Sequence, residues 1–287
     1  MPWEITAAGT VSLDDVTTPR GRRTNQQGGS AVYFGLVASR FTRVNLVGVV
    51  GHDGEASARK MLAGADVDLS GLAVADGPSY RWRATHDFER WVTADEESRL
   101  GVLETWEPRV PPAAAAAPVV FVGSMAPVQQ LAVLSAVPSA RVVGADSMTV
   151  HIRAAPDAVR LVAESADVLF GDRAEVCLLT GSDESTWMDG ARSLCGRGRL
   201  RAVVVKSGPD GAVCVTRDAV VSRAAHPVDF VVDPTGAGDS LAAGFLGVAA
   251  RAERDPLDDI EASLDAGVRC AASVITAFGV DGLRGIP

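Results

Sequence analysis

Apolar residues in this chain come in short, dense runs. Val44-Asn45-Leu46-Val47-Gly48-Val49-Val50-Gly51 is almost continuous, and Val119 to Val122, Val142 to Ala145, Val168 to Phe170 and Ala202 to Val205 share its character. Short β-branched runs without polar alternation predict strands covered on both faces. From Val119 onward such runs alternate with helical stretches, a rhythm that predicts a mostly parallel sheet. Ile5-Thr6-Ala7-Ala8-Gly9 predicts an opening strand, and Phe230-Val231-Val232 a late one. After the late run comes Leu241-Ala242-Ala243-Gly244-Phe245-Leu246-Gly247-Val248-Ala249-Ala250, small and apolar, which fits a buried helix.

Residues 72–110 break this pattern. Tyr80, Trp82, Phe88, Trp91 and Trp106 fall there, in a chain with only five Trp, two Tyr and eight Phe, interleaved with Arg81, Arg83, Arg90 and Arg99. Alternation such as Tyr80-Arg81-Trp82-Arg83 predicts half-exposed strands. Their aromatics would pack on the main body, on a second subunit or on a flat ligand, and the arginines could hold phosphate. Residues 16–27 are polar, with Pro19, Arg20, Arg22 and Arg23, and read as a flap. The alanine-rich Pro111 to Pro118 reads as a short helix or linker.

Composition narrows the class. A chain of 287 residues with 47% apolar content can bury a sizeable α/β core. The net charge of −9 argues against nucleic acid or an anionic membrane surface as partner, though not against ATP held by a helix terminus. Cys177, Cys195, Cys214 and Cys270 are scattered, as expected of reduced thiols in a cytoplasmic protein, and a structural zinc is not expected. No signal peptide is legible at the start, and the apolar runs are too short or too rich in Pro and Gly to span a bilayer.

Candidate chemistry concentrates in Asp233-Pro234-Thr235-Gly236-Ala237-Gly238-Asp239-Ser240. A glycine-rich turn entering a helix leaves N–H groups unpaired, and the helix dipole adds to their pull on an anion. A carboxylate at the helix start can then take a proton from a hydroxyl held beside that anion. Taken alone, the turn could equally be a capped helix N-terminus. Upstream, Asp14 and Asp15 follow the opening strand, where open α/β sheets collect ligands. From spacing alone they are as well explained by a solvated turn.

The 233–239 stretch resembles the D-T-x-G-A-G-D signature of the ribokinase/PfkB carbohydrate kinases, with Pro234 added. The resemblance implies a ribokinase-like α/β fold over 1–287, with a small β-lid from segments near 12–27 and 72–110. It implies Asp239 as catalytic base, with Gly236, Ala237 and Gly238 as the anion hole. Asp14, with Asp15 as fallback, matches the hydroxyl-binding aspartate. Gly28-Gly29 match a second signature, in which Tyr33 replaces the usual asparagine. Glu175 and Asp172 stand at an N-x-x-E motif tied to magnesium, with aspartate for asparagine. Lys206, Gly208 and Gly211 resemble a V-K-x-G-x-x-G nucleotide segment. Thr235 and the small-residue helix containing Ser273 complete the expected ATP site. Asp233 extends the resemblance to activation by K+.

The implied reaction is transfer of the γ-phosphoryl of ATP, with Mg2+, to a hydroxyl of a sugar or sugar-like acceptor. A nucleoside acceptor stacked on lid aromatics, a phosphosugar held by lid arginines and a non-catalytic binding module are the alternatives. A homodimer through the lid is compatible with the half-exposed aromatics.

Overall fold

The computed structural model describes residues 2–89 and 92–285. Arg90 and Trp91, counted above with the lid, lie outside the described residues. The chain opens with strands β1 (Ile5–Ala8), β2 (Ser12–Thr18) and β3 (Gly21–Gly28), helix α1 (Ser30–Ala38) and strand β4 (Val44–Gly51). Helix α2 (His52–Leu62) and strands β5 (Val67–Ala75), β6 (Tyr80–Asp87) and β7 (Val92–Arg99) follow. The middle holds α3 (Pro112–Ala115), β8 (Val119–Val122), α4 (Pro127–Ala136), β9 (Val142–Asp146), α5 (Thr149–Ala154) and α6 (Pro156–Ser165). Then come β10 (Val168–Asp172), α7 (Arg173–Thr180), α8 (Trp187–Leu194), β11 (Ala202–Lys206), β12 (Ala212–Thr216) and β13 (Val220–Arg223). The long helices α9 (Ala237–Arg251) and α10 (Ile260–Val274) end the set.

The main sheet has the order β13-β12-β11-β10-β9-β8-β1-β4-β5. Every neighbour pair from β11 to β5 is parallel, while β12 and β13 close one edge antiparallel. All eight residues of β4 are buried, as a strand covered on both faces requires. On one face a ladder of rings joins the sheet to its helices. Phe34 stacks on Phe121 at 4.1 Å, Phe121 meets Phe170 edge-on at 6.2 Å, and Phe170 meets Phe245 at 5.6 Å. Helices α1 and α9 also pack on each other, and Gly29 and Gly236 at their N-termini line one cavity. Among the described residues no helix is long and apolar enough to cross a membrane.

A second sheet of four strands, β3-β2-β6-β7, stands apart. It is narrower than the 72–110 segment expected from composition. Leu72 to Ala75 belong to β5 of the main sheet, and Val102 and Leu103 return to pack beside Val49. Residues 16–27 are not only a flap, because Val16 and Gln27 are buried within β2 and β3.

Phe230 to Val232 do not form the expected strand. Val232 and Asp233 both donate to the Ile275 carbonyl, so the segment is tied at one point and no ladder forms. Phe230 stays 53% exposed, beneath the Arg20 guanidinium. The glycine-rich turn therefore enters α9 from an irregular segment.

Candidate active site

The turn into α9 is built around Gly236, which has φ 78° and ψ 1°. A residue with a Cβ pays strain in this left-handed region. Space is a second constraint, since a Cβ at 236 would collide with the Tyr33 ring. Tyr33, 2% exposed on α1, thus packs its ring directly on the turn. Of the three residues expected to form the anion hole, Ala237 does not offer a free donor. Its N–H closes a tight turn onto the Pro234 carbonyl at 3.1 Å. Among the described residues no main-chain acceptor takes the N–H of Gly236 or Gly238. These donors and the helix dipole leave the turn electropositive.

A lysine reinforces it. A Cβ at position 238 would lie 3.2 Å from Lys206 Nζ, so the glycine makes room for the ammonium against the first turn of α9. Lys206 Nζ donates to both oxygens of Asp146, at 2.9 and 3.1 Å. Burial alone would favour the neutral amine, but Asp146 and Glu175 outweigh it and hold the charge firmly. Lys206 ends β11 and Asp146 ends β9, with β10 between them, so the parallel sheet brings the pair to its carboxyl edge.

Asp239 lies in the first turn of α9, and its carboxyl is pushed up to about 7. Burial is the main cause, the Asp146 charge adds to it, and Lys206 opposes. Asp14 faces it from β2. It is 3% exposed, its Oδ1 has no hydrogen-bond partner, and burial likewise lifts it to about 7. Any side chain at Gly28 would strike the Asp14 carboxylate, which explains the first glycine of the Gly28-Gly29 pair. Asp15 points to the other face of the strand, where it accepts from the Asn25 N–H at 2.9 Å. The fallback is therefore set aside.

Asp239, Asp14 and Lys206 line one cavity of 640 Å³ together with Tyr33, Asp146, Asp172, Glu175, Thr235, Gly236 and Gly238. Among the described lining residues, five carboxyl groups face one lysine. The small sheet adds Tyr80, Trp82 and His86 to the wall. Arg81 and Arg83 of the same strand turn away from it. Arg81 pairs with Asp53 at 3.0 Å, and Arg83 with Asp15 and Glu97 at 3.7 and 3.4 Å. Gly29, Thr10 and Ser30 floor the cavity between the sheets.

Asp172 and Glu175 do reach the cavity, but they are first a capping box. Asp172 Oδ1 accepts the Glu175 N–H and Glu175 Oε2 accepts the Asp172 N–H, both at 2.8 Å. Burial raises the Glu175 carboxyl, against the pull of Lys206. Each carboxylate keeps a second oxygen, which suits water around a nucleotide-borne Mg2+. Among the described residues no group of three or more His, Cys, Asp or Glu is arranged to hold a metal directly. Asp233, the residue matched to K+ activation, lies just before the turn. It is 1% exposed, and its two oxygens accept the Thr235 and Gly279 N–H groups at 2.9 and 3.1 Å. It staples the turn to the loop after α10, and no step is assigned to K+.

Three residues expected at the nucleotide do not line this cavity: Gly208, Gly211 and Ser273. Gly211 shapes the β11–β12 hairpin, where a Cβ would strike the Arg223 carbonyl. Ser273 bonds back to the Arg269 carbonyl at 3.1 Å within α10. The sequence assigns no role to His86, and Asp146, at the end of a predicted strand, reads there as either a cleft-facing carboxylate or a turn cap. The even-numbered face of β6, Tyr80-Trp82-Ala84-His86, is the signal that marks His86.

A profile of the pfkB family carbohydrate kinases matches residues 12–283. The chain belongs to the pfkB carbohydrate kinase family. This pfkB kinase is 28% identical over 250 residues to the cytidine kinase of Thermococcus kodakarensis, covering 85% of this chain and 87% of that protein. The ribokinase of Cryptococcus neoformans, solved with ADP, superposes with a TM-score of 0.79 at 17% identity, over 98% of this chain and 96% of that one. The nucleoside kinase of Methanocaldococcus jannaschii gives 0.75 at 20% identity, over 96% and 92%. These likenesses establish a ribokinase-like fold, and family membership makes the chain a phosphotransferase.

Proposed function

We propose that this pfkB kinase moves the γ-phosphoryl of ATP to a hydroxyl of a neutral nucleoside. The observation that carries the choice is the split of β6, whose Tyr80, Trp82 and His86 face the cavity while Arg81 and Arg83 face away and are paired. Aromatic walls favour a flat base. A wall of five carboxyl groups with its arginines turned outward disfavours an acceptor that already carries phosphate. The 28% identity to a cytidine kinase points the same way. A free sugar is the second reading, because Asp14 offers an unpartnered oxygen suited to hydroxyl groups whatever they are attached to.

In this reading Asp14 orients the acceptor, and Asp239 accepts the proton of the attacking hydroxyl. The Gly236 and Gly238 N–H groups and the Lys206 ammonium stabilise charge on the transferring group. Magnesium, when bound with the nucleotide, neutralises phosphate charge that the acidic wall would otherwise repel. The small sheet keeps water out of the reacting space. An ADP-release assay over nucleosides, free sugars and sugar phosphates tests the substrate class. Nucleosides are expected to lead in kcat/KM by at least about tenfold, a margin one stacked base supplies. A lead for sugar phosphates would overturn the reading.

A further inference from the structure

His86 joins the small sheet to the turn that enters α9. It sits on β6 with 5% exposure, and its Nδ1 lies 2.9 Å from Thr93 Oγ1 on β7. Its Nε2 lies 3.0 Å from Thr235 Oγ1, a partner 149 residues away, inside the turn that enters α9. The same nitrogen is 3.7 Å from Asp233 Oδ1, which also accepts the Thr235 N–H at 2.9 Å. Both hydrogen-bond partners are hydroxyls, so either imidazole tautomer satisfies them.

Thr235 immediately precedes Gly236, whose left-handed conformation aims the free N–H groups. Nothing else from the small sheet is hydrogen-bonded to Thr235 among the contacts described. Asp14 pairs in register with Trp82 on the neighbouring strand of that sheet. The groups that would meet an acceptor therefore sit on the same sheet as His86.

We propose that His86 is a positioning residue for the anion turn, holding it through Thr235 in its reactive shape when the small sheet is seated over the cavity. The inference rests on the reading of that turn as the phosphoryl site. Its consequence is that an acceptor engaged by Asp14 and Trp82 also sets the turn, so the amides are aligned when a hydroxyl is present to attack.

The test is a double-mutant cycle in the full chain with His86→Ala and Thr235→Val, read as kcat at saturating ATP and acceptor, with thermal melting as a control. Each single variant is expected to lose at least tenfold in kcat. The double variant should lose less than threefold beyond the slower single, because both remove the same link. Thr235→Ser, which keeps the hydroxyl, should recover most of the rate that valine loses. If His86→Ala does not fold, the valine and serine variants at 235 still decide. Losses that multiply in the double variant, kcat within twofold in the single variants, or valine and serine behaving alike overturn the proposal. A melting shift without loss of kcat marks a merely structural link and overturns it too. Asp239→Asn is run alongside: full turnover there would remove the phosphoryl-site reading itself, whereas a dead Asp239→Asn with multiplying losses removes only the role of His86.

Discussion

The Tyr33 ring fills the space that any side chain at Gly236 would need. An aromatic residue on α1 and a glycine in the turn before α9 are thus chosen together, although 203 positions separate 33 from 236. The ring packs on the turn, and Tyr33 also lines the cavity.

Gly236→Ala should therefore fail twice, through backbone strain of about 1–2 kcal/mol and through collision with the ring. Urea unfolding should show the loss, and kcat should fall with it. Tyr33→Ala should cost less stability in the Gly236→Ala background than in the parent, since there it also relieves the collision. Additive losses in the double variant would argue against direct packing.

Burial is the main force that pushes both the Asp14 and the Asp239 carboxyl up to about 7. A base must be deprotonated to act, so kcat/KM should rise with pH through about 7 and level above it. Because the two groups share one cavity, the limb reports the pair and not either residue. The linkage to stability has the opposite sense. A carboxyl raised from 3.8 to about 7 on folding contributes stability fully below pH 3.8 and loses it as pH rises through 7. The unliganded protein should lose stability over that window, and Asp14→Asn should flatten the loss. A flat kcat/KM between pH 5.5 and 8 would contradict these environments.

Lys206→Met should lower kcat by about 10²–10³-fold, the scale of losing one charge-stabilising donor in phosphoryl or acyl transfer. The acceptor KM should change little, because Lys206 stands against Gly238 and away from the small sheet. Steady-state kinetics in both substrates separates these effects. A change confined to acceptor KM would place the lysine in the wrong role.

Trp82→Ala should raise the KM for a nucleoside by the worth of one stacked base, about 1–3 kcal/mol or roughly 5–150-fold. The KM for a free sugar should barely move. Equal effects on both acceptors would mean that Trp82 shapes the cavity without stacking.

What the sequence made legible is what local chemistry dictates. The β-branched runs became the main sheet, and Asp14, Gly29, Gly236, Gly238 and Asp239 line one cavity, the last three from the turn and first helical turn of α9. What stayed hidden depends on distant pairing. Lys206 and Asp146 meet across 60 positions, and His86 and Thr235 across 149, and neither pair leaves a local signature. Phe230 to Val232 misled for a different reason. Apolar residues predict burial in a strand, but this segment has one acceptor, the Ile275 carbonyl, where a ladder needs several. Ala237 shows the limit of motif reading, since its N–H is consumed by the turn that makes the motif possible.

The measurement that bears most directly on the proposed chemistry is turnover by Asp239→Asn with ATP and the best acceptor, alongside calorimetric binding of ATP. Asparagine keeps the size and loses the base. Turnover should fall by about 10²–10⁴-fold, the usual worth of a positioned proton acceptor, with ATP affinity within about threefold of the parent. Turnover close to that of the parent would contradict proton removal by Asp239 and with it the assignment of the cavity.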